Sequence, residues 1–275
     1  MLRMDRLSPY STIITFDDGW HYTFSKILPI ARDLRIPFTI YITSYYASIN
    51  TSVLNVLIRY IAWKRRGSVV DLRNYIPNSK TDSSLQTSDF TTYLDRVLAY
   101  VEGLPSLSER ICAAVNFADC LGFDGRTILN NPAFRLMNAE EIQMAATQGT
   151  DIQLHTHRHR FPGSDVSALV DEITQNRNFL EPLVGRRLNH LCYPSGEYYP
   201  HMFETLSELG IESAATCQPG LVSPETNLLA LPRFLDGENI APIEFEAEMS
   251  GALEIFRNIR GYLKRSFFKR LLGGN

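Results

Sequence analysis

The chain has 275 residues, 44% of them hydrophobic and 11% aromatic, and a formal net charge of −3. That is enough apolar material for one α/β barrel-sized domain or two smaller ones, and the lack of a net basic field argues against a nucleic-acid partner. No run approaches the roughly 18 apolar residues a membrane span needs. The four cysteines (Cys112, Cys120, Cys192, Cys217) form no CxxC pair, as expected of reduced thiols.

Met1 to Asp5 carries no apolar signal core, so a cytoplasmic location is expected. Ser11 to Thr15, rich in Ile and Thr, reads as a first strand, and it runs into Phe16-Asp17-Asp18-Gly19-Trp20. The spacing of Phe24, Ile27, Leu28, Ile30, Ala31 and Leu34 predicts a helix over 21–34, which Pro29 starts or kinks. Pro37 to Thr43 is a near-continuous β-branched and aromatic run, the pattern of a strand buried on both faces. Strand, helix and strand together make a βαβ unit on a parallel sheet.

Residues of about 51–135 break this rhythm. Val53 to Trp63, Phe90 to Val101 and Leu107 to Leu121 repeat apolar positions three or four apart, with a polar stretch over 77–88 between the first two. The reading is a helical insertion of roughly 80 residues containing a loop. The rhythm then resumes. Asn138 with Glu141 is a capping-box-like helix start, and Gly149 ends that helix. Asp151 to Leu154 is a short strand leading into His155-Thr156-His157-Arg158-His159. Next come a helix over 166–184, a strand over 188–193 ending in Pro194-Ser195-Gly196, and a helix over 202–209 closed by Gly210. Strands are expected over 213–216 and 228–234.

Asp17-Asp18, His155 to His159, Pro194 to Gly196 and Arg233 all fall at the C-terminal ends of expected strands, the face where parallel α/β folds place their chemistry. A strand-end Asp-Asp-Gly is by itself a turn signal. Two adjacent carboxylates nevertheless repel unless a cation lies nearby. His155 and His159, four apart, project from one side if their segment turns helically. With one carboxylate of the acidic pair they offer two nitrogens and one oxygen and leave a position for water, an open divalent site that suits Zn²⁺. The other carboxylate would then be available as a general base.

These stretches resemble the polysaccharide deacetylases sharing the NodB homology domain (carbohydrate esterase family 4). Thr15-Phe16-Asp17-Asp18-Gly19 is similar to that family's TFDDG, His155 to His159 to its H-[ST]-x-x-H, and Tyr193-Pro194-Ser195-Gly196 to its Pro-containing third motif. The resemblance covers about 10–45 and 135–235 and leaves the insertion outside. It implies a distorted parallel (β/α) barrel of the NodB type, with a single deacetylase domain over 1–245, and hydrolysis of an N-acetyl group on a sugar. Carried over by position, Asp17 is the base and Asp18, His155 and His159 are the metal ligands. Thr156 braces the histidine loop, and the Ser195 backbone N–H holds the oxyanion. Two departures stand out. Cys192 occupies the place of the arginine that partners the catalytic aspartate, and Arg233 is the expected replacement. The late Leu-x-His motif that supplies the general acid is absent, which leaves His157, His21 and Glu197 as proton-donor candidates.

From 246 onward the sequence interleaves Ile255, Phe256, Ile259, Leu263, Phe267, Phe268 and Leu271 with Arg257, Arg260, Lys264, Arg265, Lys269 and Arg270. A basic amphipathic helix is expected there, either docked on the fold or lying on an anionic inner-membrane surface. The expected function is removal of an acetyl group from an amino sugar of a surface polysaccharide or lipopolysaccharide, lipid-linked or nucleotide-linked. The alternatives are an N-deformylase or other amide hydrolase, and an inactive glycan-binding homologue.

Overall fold

The computed structural model describes residues 11–73, 75–77, 86–163, 165–257 and 259. The described residues form two compact units, one of Ile14–Ile152 with Pro182–Gly185, the other of 11–13, Gln153–Glu181 and the described residues from Arg186 onward.

In the first unit, β1 (Ile14–Phe16) pairs in parallel with β2 (Phe38–Ile42), with Thr15 opposite Thr39 and Phe16 opposite Ile40. The connection between them is helical, as the spacing predicts, but it is not one α-helix. A π-turn over Thr23–Ile27 precedes α1 (Leu28–Asp33), and the Leu28 N–H reaches back five residues to the Thr23 carbonyl. Pro29 has no N–H to give, and a wider turn ahead of it absorbs the mismatch. Ile40 and Ile42 are fully buried, as the apolar run requires.

The insertion is helical where the periodicity places it. Following α2 (Tyr45–Ile49), it contains α3 (Leu54–Lys64), α4 (Phe90–Glu102), α5 (Leu107–Cys120) and α6 (Gly125–Leu129), the last too short to show a period. A two-residue antiparallel pair, β3 (Val70–Asp71) and β4 (Gln86–Thr87), was not expected. Leu57, Ile58, Ile61, Tyr93, Val97, Ala114 and Phe117 form a core of their own, each large side chain contributing about 1.5–3 kcal/mol by leaving water. The buried Tyr93 hydroxyl donates to the Ala62 carbonyl at 2.6 Å. The unit ends with α7 (Ala139–Thr147), whose Asn138 and Glu141 form the expected capping box, and with the start of β5 (Asp151–Leu154).

In the second unit, β5 pairs in parallel with β6 (His190–Cys192), and β6 with β7 (Ser213–Ala215). The strand order is β1-β2 in the first unit and β5-β6-β7 in the second. The connections are α8 (Val166–Val184) and α9 (Phe203–Glu208). The expected last strand over 228–234 is not one. Leu228–Ala230 is a 3-10 turn, capped by the Asn227 side chain, and pairing is limited to a single bridge between Ala215 and Leu231. The next donor toward β7, the Arg233 N–H, goes to the Gln218 carbonyl at 2.8 Å instead of the Thr216 carbonyl, so the ladder stops after Leu231. Beyond it α10 (Pro242–Met249) forms. The basic amphipathic helix expected near the C-terminus lies mostly outside the described residues. Among the described residues no helix is long and apolar enough to cross a membrane.

Candidate active site

The acidic pair sits directly after β1. Asp18 (φ 67°) and Gly19 (φ 80°) are both left-handed, and the Gly19 N–H closes back on the Asp17 carbonyl at 2.8 Å. Glycine is required at 19 twice over: its φ disfavours side chains, and a Cβ would meet Ile42 Cγ1 at 3.0 Å. The turn is tied to the lead-in of α7, with the Met137 N–H donating to the Gly19 carbonyl at 2.8 Å and the His21 N–H to the Arg135 carbonyl at 3.1 Å. The Trp20 indole Nε1–H donates to Asp18 Oδ2 at 2.9 Å, orienting that carboxylate.

His21 Nδ1 lies 2.9 Å from Glu141 Oε1, out of line for a hydrogen bond and an ion pair when the imidazole is protonated. Arg135 grips the same Glu141 with both guanidinium nitrogens at 2.8 Å. Burial pushes the Glu141 carboxyl up, but the Arg135 hydrogen bonds, the Asn138 N–H and the charges of Arg135 and His21 outweigh it and leave it below its ordinary value. His21 is therefore engaged in holding α7.

In the second unit the histidine segment leaves β5 without forming a helix, contrary to the helical turn considered above. Thr156 (φ 62°) and His159 (φ 54°) are left-handed and bend the chain sharply enough to bring the His155 and His159 rings to 4.9 Å between centroids. His155 is buried and His159 exposed. The His155 N–H donates to Asn176 Oδ1 at 3.1 Å, and its ring Nδ1 contacts the Cys192 carbonyl at 2.8 Å. A carbonyl only accepts, so that contact sets Nδ1 as the protonated nitrogen and makes Nε2 the nitrogen that could ligate a metal. Thr156 Oγ1 accepts the Arg160 N–H at 3.2 Å, the expected brace. Glu172 accepts the Arg158 N–H at 2.7 Å and its guanidinium at 3.0 Å. Burial, with the charge of Arg158, lowers the His157 pKa.

Ser195 (φ 58°) ends the third motif in an exposed left-handed turn after the fully buried Tyr193. Arg233 reaches the position where the sequence departs from the family pattern: its Nη2 lies 3.1 Å from Cys192 Sγ, and Nε donates to the Thr216 carbonyl at 3.3 Å. Among the described residues six non-glycine residues have positive φ, and four of them (Asp18, Thr156, His159, Ser195) lie in the three motif turns. Backbone strain of this kind collects where a site must hold groups in place.

In the second unit His155, His159 and Cys192 are side chains of the kind that ligate a metal ion, as Asp17 and Asp18 are in the first. Sequence reasoning missed Trp20, Glu172 and Asn176. An indole two residues from a carboxylate has no periodic signature. Glu172 and Asn176 did leave one, since they occupy positions of the apolar stripe that α8 otherwise fills with Leu169, Ile173 and Leu180.

Comparison with known proteins bears on these features together. The sequence model of the polysaccharide deacetylase family matches residues 122–214, which contain the histidine and third motifs. Among solved structures the chain is similar to the Streptococcus pyogenes deacetylase PplD in complex with acetate (13% identity, 86% of this chain and 69% of that one, TM-score 0.50). It is similar also to a de-N-acetylase from Aggregatibacter actinomycetemcomitans (9% identity, 88% and 76%, TM-score 0.51). At such identities the likeness is one of fold. Comparison with curated proteins gives no match. The resemblance to polysaccharide deacetylases and the NodB-type fold it implies are thus borne out.

Proposed function

We propose that the chain is a metal-dependent hydrolase that removes an N-acetyl group from an amino sugar in surface polysaccharide or lipopolysaccharide assembly. The observation that carries this reading is the facing His155 and His159 pair, 4.9 Å apart, in a loop whose left-handed residues and hydrogen bonds set it in advance. The proposed ligands are Asp18, His155 and His159. Two imidazoles, one with its tautomer set by a carbonyl, and a carboxylate held by an indole N–H make a donor set that suits zinc and leaves a position open. A divalent cation bound there would polarise the acyl carbonyl and make a water easier to deprotonate.

Asp17 is proposed as the general base, taking a proton from the water that adds to the acyl carbon. The Ser195 backbone N–H is proposed to donate to the acyl oxygen as it gains charge. Arg233, whose guanidinium sits against Cys192, is proposed as the cation that keeps Asp17 ionised, in place of the missing third-motif arginine. The substrate is proposed to be carried on a lipid or a nucleotide at the cytoplasmic face of the inner membrane.

The test measures acetate and formate released from N-acylated amino sugars, together with elemental analysis of the purified protein. Asp17→Asn should lower kcat by at least about 10²-fold while bound metal stays at the wild-type level. Wild-type turnover by this variant would remove Asp17 as the base. Release of formate alone would change the acyl group, and glycan binding without turnover would make the chain a binding homologue.

A further inference from the structure

Close to the histidine loop and the third motif lies a set of aromatic rings that no step above uses. Phe161, two residues after His159, packs edge-on against the buried Tyr193 at 4.9 Å and is stacked nearly parallel on Tyr199, at 6.3 Å and 13°. Tyr198 is different: its ring is stacked between Tyr193 (5.5 Å) and Phe203 (6.0 Å), so its faces are committed to packing. Tyr199 is stacked by Phe161 on one side, has the His201 ring tilted beside it at 5.8 Å and 48°, and is still 39% exposed.

The chain is shaped around that ring. A Cβ at Gly163 would fall 2.3 Å from Tyr199 Cε2 and Cζ, closer than real contacts allow. Gly163 has no need of glycine for its backbone, because its φ is not in the left-handed region; what a side chain there would displace is the Tyr199 ring. Pro200 follows, which favours extended backbone at Tyr199 (φ −133°, ψ 119°) and limits its freedom. An aromatic ring held this firmly yet left partly in water is a contact surface waiting for a partner with a flat apolar face.

We infer that Tyr199 is a stacking platform for a pyranose ring of the substrate, with Gly163 as the residue that makes room for it. A pyranose in its chair form presents a patch of C–H groups that packs on the electron-rich face of a phenol ring. Phosphate and carboxylate groups have no such face. The inference rests on the amino-sugar reading above and adds to it the side chain that recognises the sugar ring rather than the acyl group.

The test uses the full chain with zinc, β-1,4- and β-1,6-linked N-acetylglucosamine tetrasaccharides, and 4-nitrophenyl acetate as an acyl donor without a sugar. Tyr199→Ala should raise KM for the tetrasaccharide that is turned over by about tenfold, with a much smaller change in kcat. The ratio of kcat/KM for tetrasaccharide to that for the ester should fall to match. Gly163→Ala should reproduce this shift by pushing the ring aside, while Tyr199→Phe and Tyr199→Trp should restore the wild-type ratio. Thermal melts show that each variant is folded. An unchanged ratio in Tyr199→Ala, or an equal loss on both substrates, overturns the platform. A wild type that cleaves the ester but neither binds nor turns over either tetrasaccharide overturns the sugar reading on which it rests.

Discussion

Asp17 and Asp18 are chemically identical neighbours, and their surroundings make them different. Asp18 takes a left-handed φ and accepts the Trp20 indole N–H at 2.9 Å, whereas Asp17 keeps its carbonyl engaged by the Gly19 N–H. A carboxylate that ligates a cation works best when an outside donor fixes its orientation. Trp20→Phe keeps the ring and deletes that donor. If Asp18 is a ligand, zinc affinity measured by competition with a chromophoric chelator should weaken by roughly 10-fold or more. An affinity equal to wild type would mean that Asp18 is not oriented by Trp20 or does not bind the ion. The acidic pair itself was legible in the sequence. The proposed split into ligand and base came from the resemblance alone, because nothing in the spacing of two adjacent residues tells which one an indole will reach.

Single elements of the fold act as supports for the motif turns. α8 places Glu172 and Asn176 four residues apart on its buried face, where they accept backbone N–H groups of Arg158 and His155. α7 does the same for the acidic turn through Glu141, which closes the capping box with Asn138, grips Arg135 and faces His21. Gln can also close a capping box, so Glu141→Gln removes mainly the charge. At neutral pH this should cost roughly 1.5–3 kcal/mol, the range for a hydrogen bond to a charged partner. The Glu141 carboxyl is lowered in the folded state. Its contribution is therefore fully present above the unfolded value near about 4.3 and is lost as pH falls through the depressed folded value. Urea midpoints should differ between wild type and Glu141→Gln at pH 7 and converge in acid below that range. A gap that persists unchanged into strong acid would show that the charge is not what matters. The capping box was visible in the sequence because capping has a fixed spacing. The Arg135 and His21 contacts were not, since they depend on where a bend carries the side chains.

At the scale of the whole molecule, the alternation of strands and helices was enough to give a parallel α/β fold, and apolar spacing located the long helices α3, α4 and α5. Short or irregular pieces escaped it. The 3-10 turn at Leu228–Ala230 has the apolar content of a strand, and what sets it apart, the Asn227 side chain accepting the Leu229 N–H, is a signal that apolar spacing does not read. The helical bend imagined for His155 to His159 failed because spacing alone does not reveal left-handed residues such as Thr156 and His159. The proposed metal set joins residues more than a hundred positions apart in sequence, so its binding energy acts on the folded chain and is absent in the unfolded one. Linkage then gives a measurement that needs no substrate. With free zinc held about a hundredfold above its Kd, the folded state should gain about 2.7 kcal/mol, which for a chain of this size raises the melting temperature by roughly 5–10 °C at about 2–4 °C per kcal/mol. The shift should vanish when His155 and His159 are both replaced by alanine, and it should reverse in wild type on adding a chelator. Equal zinc-dependent shifts in wild type and the double variant would move the ion to other residues and take the proposed mechanism with it.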